Sequence, residues 1–210
     1  MKNVSRTILA FVLAYLIMGG NARAQNTETG DQVILGLKVS AGGRYDDVRM
    51  CVGSPKGVKG GPALDVSFFI ETGVSQRMSV SINVPVMRPI LFGAAFKMLQ
   101  FEPEATLIFR VPRDGNFDVV VGPSLGVTLH YGPDYQSGRS GEERGPSFFA
   151  LGPRIGGYLG LDFKRPGETF NFQLGLRPYV TPLFSIDSPE DHRGVVVGGL
   201  MDGQFRFSLK

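Results

Sequence analysis

The sequence predicts an all-β chain, an antiparallel up-and-down barrel of about eight strands, and three observations predict it. Period-2 alternation of apolar and polar residues runs through almost the whole length, while helical periodicity is nearly absent. The 29 Gly and 14 Pro recur too often for long helices. Long and short connections alternate between the patterned segments.

Eight segments carry the alternation. The first, 33–43, sets Val33, Leu35, Leu37, Val39 and Ala41 against Gly36, Lys38, Ser40 and Gly42. The second, 63–74, sets Leu64, Val66, Phe68, Ile70 and Val74 against Asp65, Ser67, Phe69 and Glu71. In the third, 78–86, Met78, Val80, Ile82, Val84 and Val86 oppose Ser79, Ser81 and Asn83. The fourth, 101–110, places Phe101, Ala105, Leu107 and Phe109 against Glu102, Glu104, Thr106 and Arg110.

The fifth, 117–130, opposes Phe117, Val119, Val121, Leu125, Val127 and Leu129 to Asp118, Gly122, Ser124, Gly126, Thr128 and His130. The sixth, 149–163, opposes Phe149, Leu151, Ile155, Leu159, Leu161 and Phe163 to Gly152, Arg154, Gly156, Tyr158, Gly160 and Asp162. The seventh, 170–181, sets Phe170, Phe172, Leu174, Leu176 and Val180 against Asn171, Gln173, Gly175, Arg177 and Tyr179. The eighth, 195–209, sets Val195, Val197, Met201, Phe205, Phe207 and Leu209 against Gly198, Asp202, Gln204 and Arg206. Pro123 and Pro153 fall inside two of these segments, where a missing N–H breaks a ladder, so a bulge or a strand starting at Arg154 is expected there. Pairing of residues 91–99 would raise the count to ten.

Connections 44–62, 87–100 and 131–147 are long and 182–193 is intermediate. Those at 75–77, 112–116 and 164–168 are short turns, so all the long loops fall on one rim.

Residues 1–24 are excluded from the fold. A charged start, an apolar run from Ile8 to Met18 and the Ala22-Arg23-Ala24 ending read as a secretory signal peptide, with the mature domain at 25–210. The net charge of +3 belongs to that segment. It holds Lys2, Arg6 and Arg23 and no acid, so 19 of the 22 basic residues remain against all 19 acids. A neutral body without basic runs excludes nucleic acid as a partner. A single cysteine excludes a disulfide framework, and two histidines cannot build a His-rich zinc site. No cofactor is expected.

Alternation alone leaves open which face points inward. The polar faces carry few charges of mixed sign: Lys38, Asp65, Glu71, Glu102, Glu104, Arg110, Asp118, Arg154, Asp162, Arg177, Asp202 and Arg206. Such a set can pair off inside a narrow lumen, and the intervening Gly, Ser and Thr suit a crowded interior. Phe residues cluster near strand ends on the apolar faces, as an interfacial girdle does. The expected arrangement is therefore apolar-out, a transmembrane barrel with a polar, largely plugged lumen. A soluble periplasmic carrier barrel is the inverse reading.

The pattern from Val33 to Leu209 resembles the small eight-stranded outer-membrane barrels of Gram-negative bacteria, of the OmpA, OmpX and OmpW type. The resemblance implies export to the outer membrane, contact with its lipid and with the barrel-assembly machinery, and a monomer. The chain departs from that pattern at its end, where Phe207 is followed by Ser208, Leu209 and Lys210 in place of a terminal aromatic residue.

Chemistry is sparse. Glu102 and Glu104 share one strand face, and pairing with lumen arginines outweighs acid/base work there. His130, with Ser137 and Ser140 in the next loop, is the one constellation that would suit a lipid-modifying enzyme, and it lacks triad spacing. Asp46-Asp47 and Glu190-Asp191-His192 lack calcium-loop spacing, the glycines from Gly156 to Gly160 read as packing, and Cys51 is a lone thiol. The expected function is a structural or surface-interaction role, with extracellular ligands meeting the long loops. A conduit or binder for small apolar molecules, lined by residues 91–99, is the alternative.

Overall fold

A computed structural model describes residues 33–46, 61–86, 88–89, 99–132, 148–163, 169–186 and 193–209. The described residues form ten strands: β1 (Val33–Asp46), β2 (Gly61–Ser75), β3 (Met78–Pro85), β4 (Arg88–Pro89), β5 (Leu99–Phe101), β6 (Glu104–Val111), β7 (Phe117–Gly132), β8 (Phe148–Phe163), β9 (Phe170–Ser185) and β10 (Arg193–Leu209). Eight of them, β1–β3 and β6–β10, pair antiparallel with their neighbours, and β1 closes on β10 while β7 pairs both β6 and β8. The result is a closed barrel. The short β4 and β5 extend the β3–β6 hairpin at the long-loop end, with β5 in the same register against β7 as β6.

A row of paired residues gives the stagger. From Phe117 it passes through Phe163, Phe172, Phe205, Leu37, Phe68 and Val84. One step beyond Asn83↔Glu104 it meets Pro103, whose carbonyl accepts from the Val127 N–H. Val127 lies ten residues along the strand on which the row began. A stagger of that size tilts the strands by roughly 35–45° and leaves an interior that side chains just fill.

Burial alternates with the period of the strand and is inverted relative to a soluble barrel. Lys38, Ser40, Ser67, Glu71, Gln173 and Arg177 are buried, whereas Leu64, Phe68, Leu125, Ile155, Leu176 and Met201 are each more than half exposed. Outward positions on β9 read Phe170, Phe172, Leu174, Leu176, Pro178, Val180, Pro182 and Phe184 without one charge. Strands hold this arrangement when the outer face meets hydrocarbon and every backbone group is paired within the closed sheet. Phe163, Phe170, Phe172, Phe205 and Phe207 contact one another at the short-turn end, and Tyr45, Tyr131 and Phe184 sit at the other.

Three sequence expectations need correction. Six strands run 14–17 residues, longer than the patterned segments, while β3 and β6 hold only 8 each. The fourth segment is not continuous, since Glu102-Pro103 separates β5 from β6. Neither Pro123 nor Pro153 produces a bulge or a late start: β7 and β8 stay in one register from Phe117↔Phe163 to Gly132↔Phe148.

The prolines are tolerated because their missing donors fall where pairing lapses. The β8–β9 pairing is interrupted between Leu151↔Phe184 and Ile155↔Val180, a register that brings Pro153 opposite Pro182. Two lost donors thus share one gap. The β6–β7 pairing lapses likewise between Thr106↔Ser124 and Phe109↔Val121, opposite Pro123. A glycine precedes both Pro123 and Pro153, and a Cβ on it would lie 1.6 Å from the Leu107 carbonyl at Gly122 or 1.8 Å from the Pro182 carbonyl at Gly152.

Residues 1–24, the segment 91–98, Ser137, Ser140, Asp47, Cys51 and the Glu190-Asp191-His192 cluster lie outside the described residues.

Candidate functional site

Inward positions of facing strands build a lumen in layers. Nearest the short turns, Glu71 on β2 is 1% exposed and accepts from Ser79 at 2.7 Å and from Arg110. Its other oxygen lies 2.9 Å from Arg206 Nη2. Arg110 Nε reaches Asp162 at 3.5 Å, and Arg206 Nη1 donates to Gln173 at 2.6 Å. Above them the Tyr158 hydroxyl accepts from Gln173 at 2.8 Å and from Gln204 at 3.0 Å.

At mid-depth the charges cross the bore. Arg177 on β9 grips Asp202 on β10 through Nε at 2.9 Å and Nη2 at 3.2 Å, a two-pronged contact that fixes the guanidinium plane. It also reaches Glu104 on β6 at 3.3 Å and Ser40 on β1 at 3.2 Å. Arg154 on β8 donates to Glu102 at 2.6 Å, and its Nε lies 3.3 Å from Glu104 Oε2. Lys38 bonds a neutral partner, Asn83 Oδ1, at 2.7 Å. The two carboxylates singled out in the sequence are therefore each held by an arginine.

Toward the long loops, His130 Nε2 stands 3.1 Å from Glu102 and 2.9 Å from Gln100 Nε2, and Arg44 donates to Gln100 Oε1 at 2.9 Å. His130 is 1% exposed, inside the barrel wall. The Arg154 guanidinium lies 3.5 Å from the ring centroid of Tyr179, and Tyr179 joins Ala63, Ala150, Leu183, Val196 and Leu200 in a buried apolar cluster. The sequence pattern did not single out this cluster, since only Tyr179 was on a polar face and the other five are apolar residues at inward positions.

Of the twelve polar-face charges, Glu71, Glu102, Glu104, Arg110, Arg154, Asp162, Arg177, Asp202 and Arg206 meet in ion pairs. Asp65 is buried on the same face. Asp118 Oδ1 accepts the Arg113 backbone N–H at 3.1 Å, a cap on the short turn. Among the described residues no group of three or more His, Cys, Asp and Glu could hold a metal ion.

No protein-family model matches the chain, and no curated protein matches it in sequence. Solved structures do. Neisserial surface protein A aligns over 83% of this chain and 96% of its own, at 8% identity and a TM-score of 0.59. The outer membrane protein OprG from Pseudomonas aeruginosa aligns over 86% of this chain and 97% of its own, at 12% identity and a TM-score of 0.51. The fold is that of a small transmembrane outer-membrane β-barrel. With that arrangement the soluble carrier reading falls, because the apolar face points outward and the interior is charged.

Proposed function

We propose that the chain is an outer-membrane barrel of a Gram-negative bacterium whose lumen is plugged by its own side chains. On this reading it is a structural and surface-interaction protein rather than an enzyme. One observation carries the reading. Arg177 and Arg154 tie Glu102, Glu104, Asp202 and Ser40 together, so five elements, β1, β6, β8, β9 and β10, with Glu102 between β5 and β6, are linked through the bore. An eight-stranded barrel has little room to spare, and filled this way it offers no aqueous path. The enclosure of His130 between Glu102 and Gln100 supports the non-enzymatic reading, as a catalytic base must reach its substrate.

Residues 1–24 serve in this proposal as the export signal, the barrel-assembly machinery inserts the chain as a monomer, and the long loops meet extracellular ligands. Cell fractionation followed by gels with and without boiling tests the location: outer-membrane recovery with a heat-dependent mobility is expected, and recovery in the soluble fraction overturns it. Single-channel recording in planar bilayers tests the plug. Steady conductance by the unmodified protein would defeat it.

The apolar cluster around Leu183 favours a second reading, a binder of small apolar molecules at the long-loop mouth. Saturable uptake of an apolar fluorescent probe, lost in Leu183→Asp, would support it, and uptake unchanged by that substitution would end it.

A further inference from the structure

The short-turn end of the lumen is not filled. A cavity of about 230 Å³ opens there, with Glu71, Ser79, Arg110, Asp162, Asn171 and Arg206 among its lining. Two arginines face two acids, so a lone anion meets a carboxylate and a lone cation meets a guanidinium.

The partners differ in how firmly they are held. At the inner end Glu71 Oε1 accepts from Arg110 and Ser79, and Arg206 stands 2.9 Å from Oε2, which has that ion pair but no hydrogen bond. Arg110 is 21% exposed and Asp162 16%, and their contact at 3.5 Å is at the outer limit of a hydrogen bond. Beside them Asn171 Oδ1 is a buried acceptor with no hydrogen-bond partner. An acceptor left bare in this way calls for a donor.

We propose that this vestibule binds a compact zwitterion from the solvent at the short-turn side. Its anionic end takes the Arg110 edge now loosely shared with Asp162. Its ammonium end donates to Asp162 and to Asn171 Oδ1. A carboxylate and an ammonium one or two carbons apart fit both ends at once and leave the lining neutral. The proposal goes beyond a structural role and does not depend on whether the lumen conducts.

The test uses the full chain refolded in detergent micelles, with glycine as the probe and acetate and ethylammonium as single-charge controls, read by calorimetric titration. Saturable glycine binding is expected, with each control weaker by about tenfold or more, since each leaves one end of the site unanswered. Asp162→Asn should weaken glycine by a similar factor while keeping the heat-dependent gel mobility of a folded barrel. Should Arg110→Gln fail to fold because it also serves Glu71, Asp162→Asn alone decides. Absence of saturable glycine binding, acetate binding as tightly as glycine, or undiminished affinity in Asp162→Asn each overturns the proposal.

Discussion

Arg154 of β8 reaches across the lumen to Glu102, 2.6 Å from its carboxylate, while its guanidinium rests against the Tyr179 ring. Both charges are almost wholly enclosed, at 1% and 6% side-chain exposure. Such a pair gains little over two well-packed apolar side chains, but removing one member strips the other, still buried, of its nearest opposite charge.

Arg154→Ala is therefore expected to destabilise the barrel by about 3–5 kcal/mol. Glu102→Ala should cost a comparable amount, and the double substitution clearly less than the sum of the two. Urea unfolding of the refolded protein in a lipid bilayer measures all three. Strict additivity would mean that the pair is not coupled.

The outer face inverts the usual rule that exposed positions tolerate charge. Leu176 is 52% exposed and lies six residues above Phe170, roughly 15 Å from the short-turn end of β9 at the tilt of such strands. That is near the middle of an apolar band about 25 Å tall. Leu176→Arg should cost about 2–4 kcal/mol, whereas Phe184→Arg, near the opposite end of the strand, should cost about 1 kcal/mol or less. Unfolding in bilayers checks this contrast, and equal costs at the two depths would refute the placement.

Much of this was legible in the sequence because the strand period is two. One run such as Phe170 to Val180 states both faces at once, and the mixed charges of Arg177, Asp202 and Glu104 identified the inner face before any distance was known. What escaped was whatever depends on register. Asp118 alternates correctly yet caps its own turn, because it sits one residue into β7 with the Arg113 N–H in reach. The cluster of Ala63, Leu183, Val196 and Leu200 is invisible along any one strand, since β2, β9 and β10 must first be aligned. The proline problem at Pro153 likewise dissolves only when Pro182 arrives opposite.

Tyr158 accepts two amide donors, from Gln173 and Gln204, and is 5% exposed. Tyr158→Phe keeps the ring and removes the acceptor, leaving two buried amides to find other partners. A loss of about 1–3 kcal/mol is expected, with the strand content unchanged by circular dichroism. A neutral outcome would show that the amides re-pair within the lumen.

The glycines give the sharpest test of the wall. At Gly152 an added Cβ would lie 1.8 Å from the Pro182 carbonyl, backbone that cannot swing aside as a side chain does. At Gly199, on the outer face of β10, nothing lies within 4 Å of the same atom. Gly152→Ala must therefore push β8 away from β9 where their pairing has already lapsed, and a cost of at least about 1–3 kcal/mol follows. Gly199→Ala adds apolar surface toward lipid and removes backbone freedom from the unfolded chain, so it should be neutral or stabilising by up to about 1 kcal/mol. Paired unfolding measurements separate the two. Equal effects would mean that the strands do not approach as closely at Gly152 as the Pro153–Pro182 alignment requires.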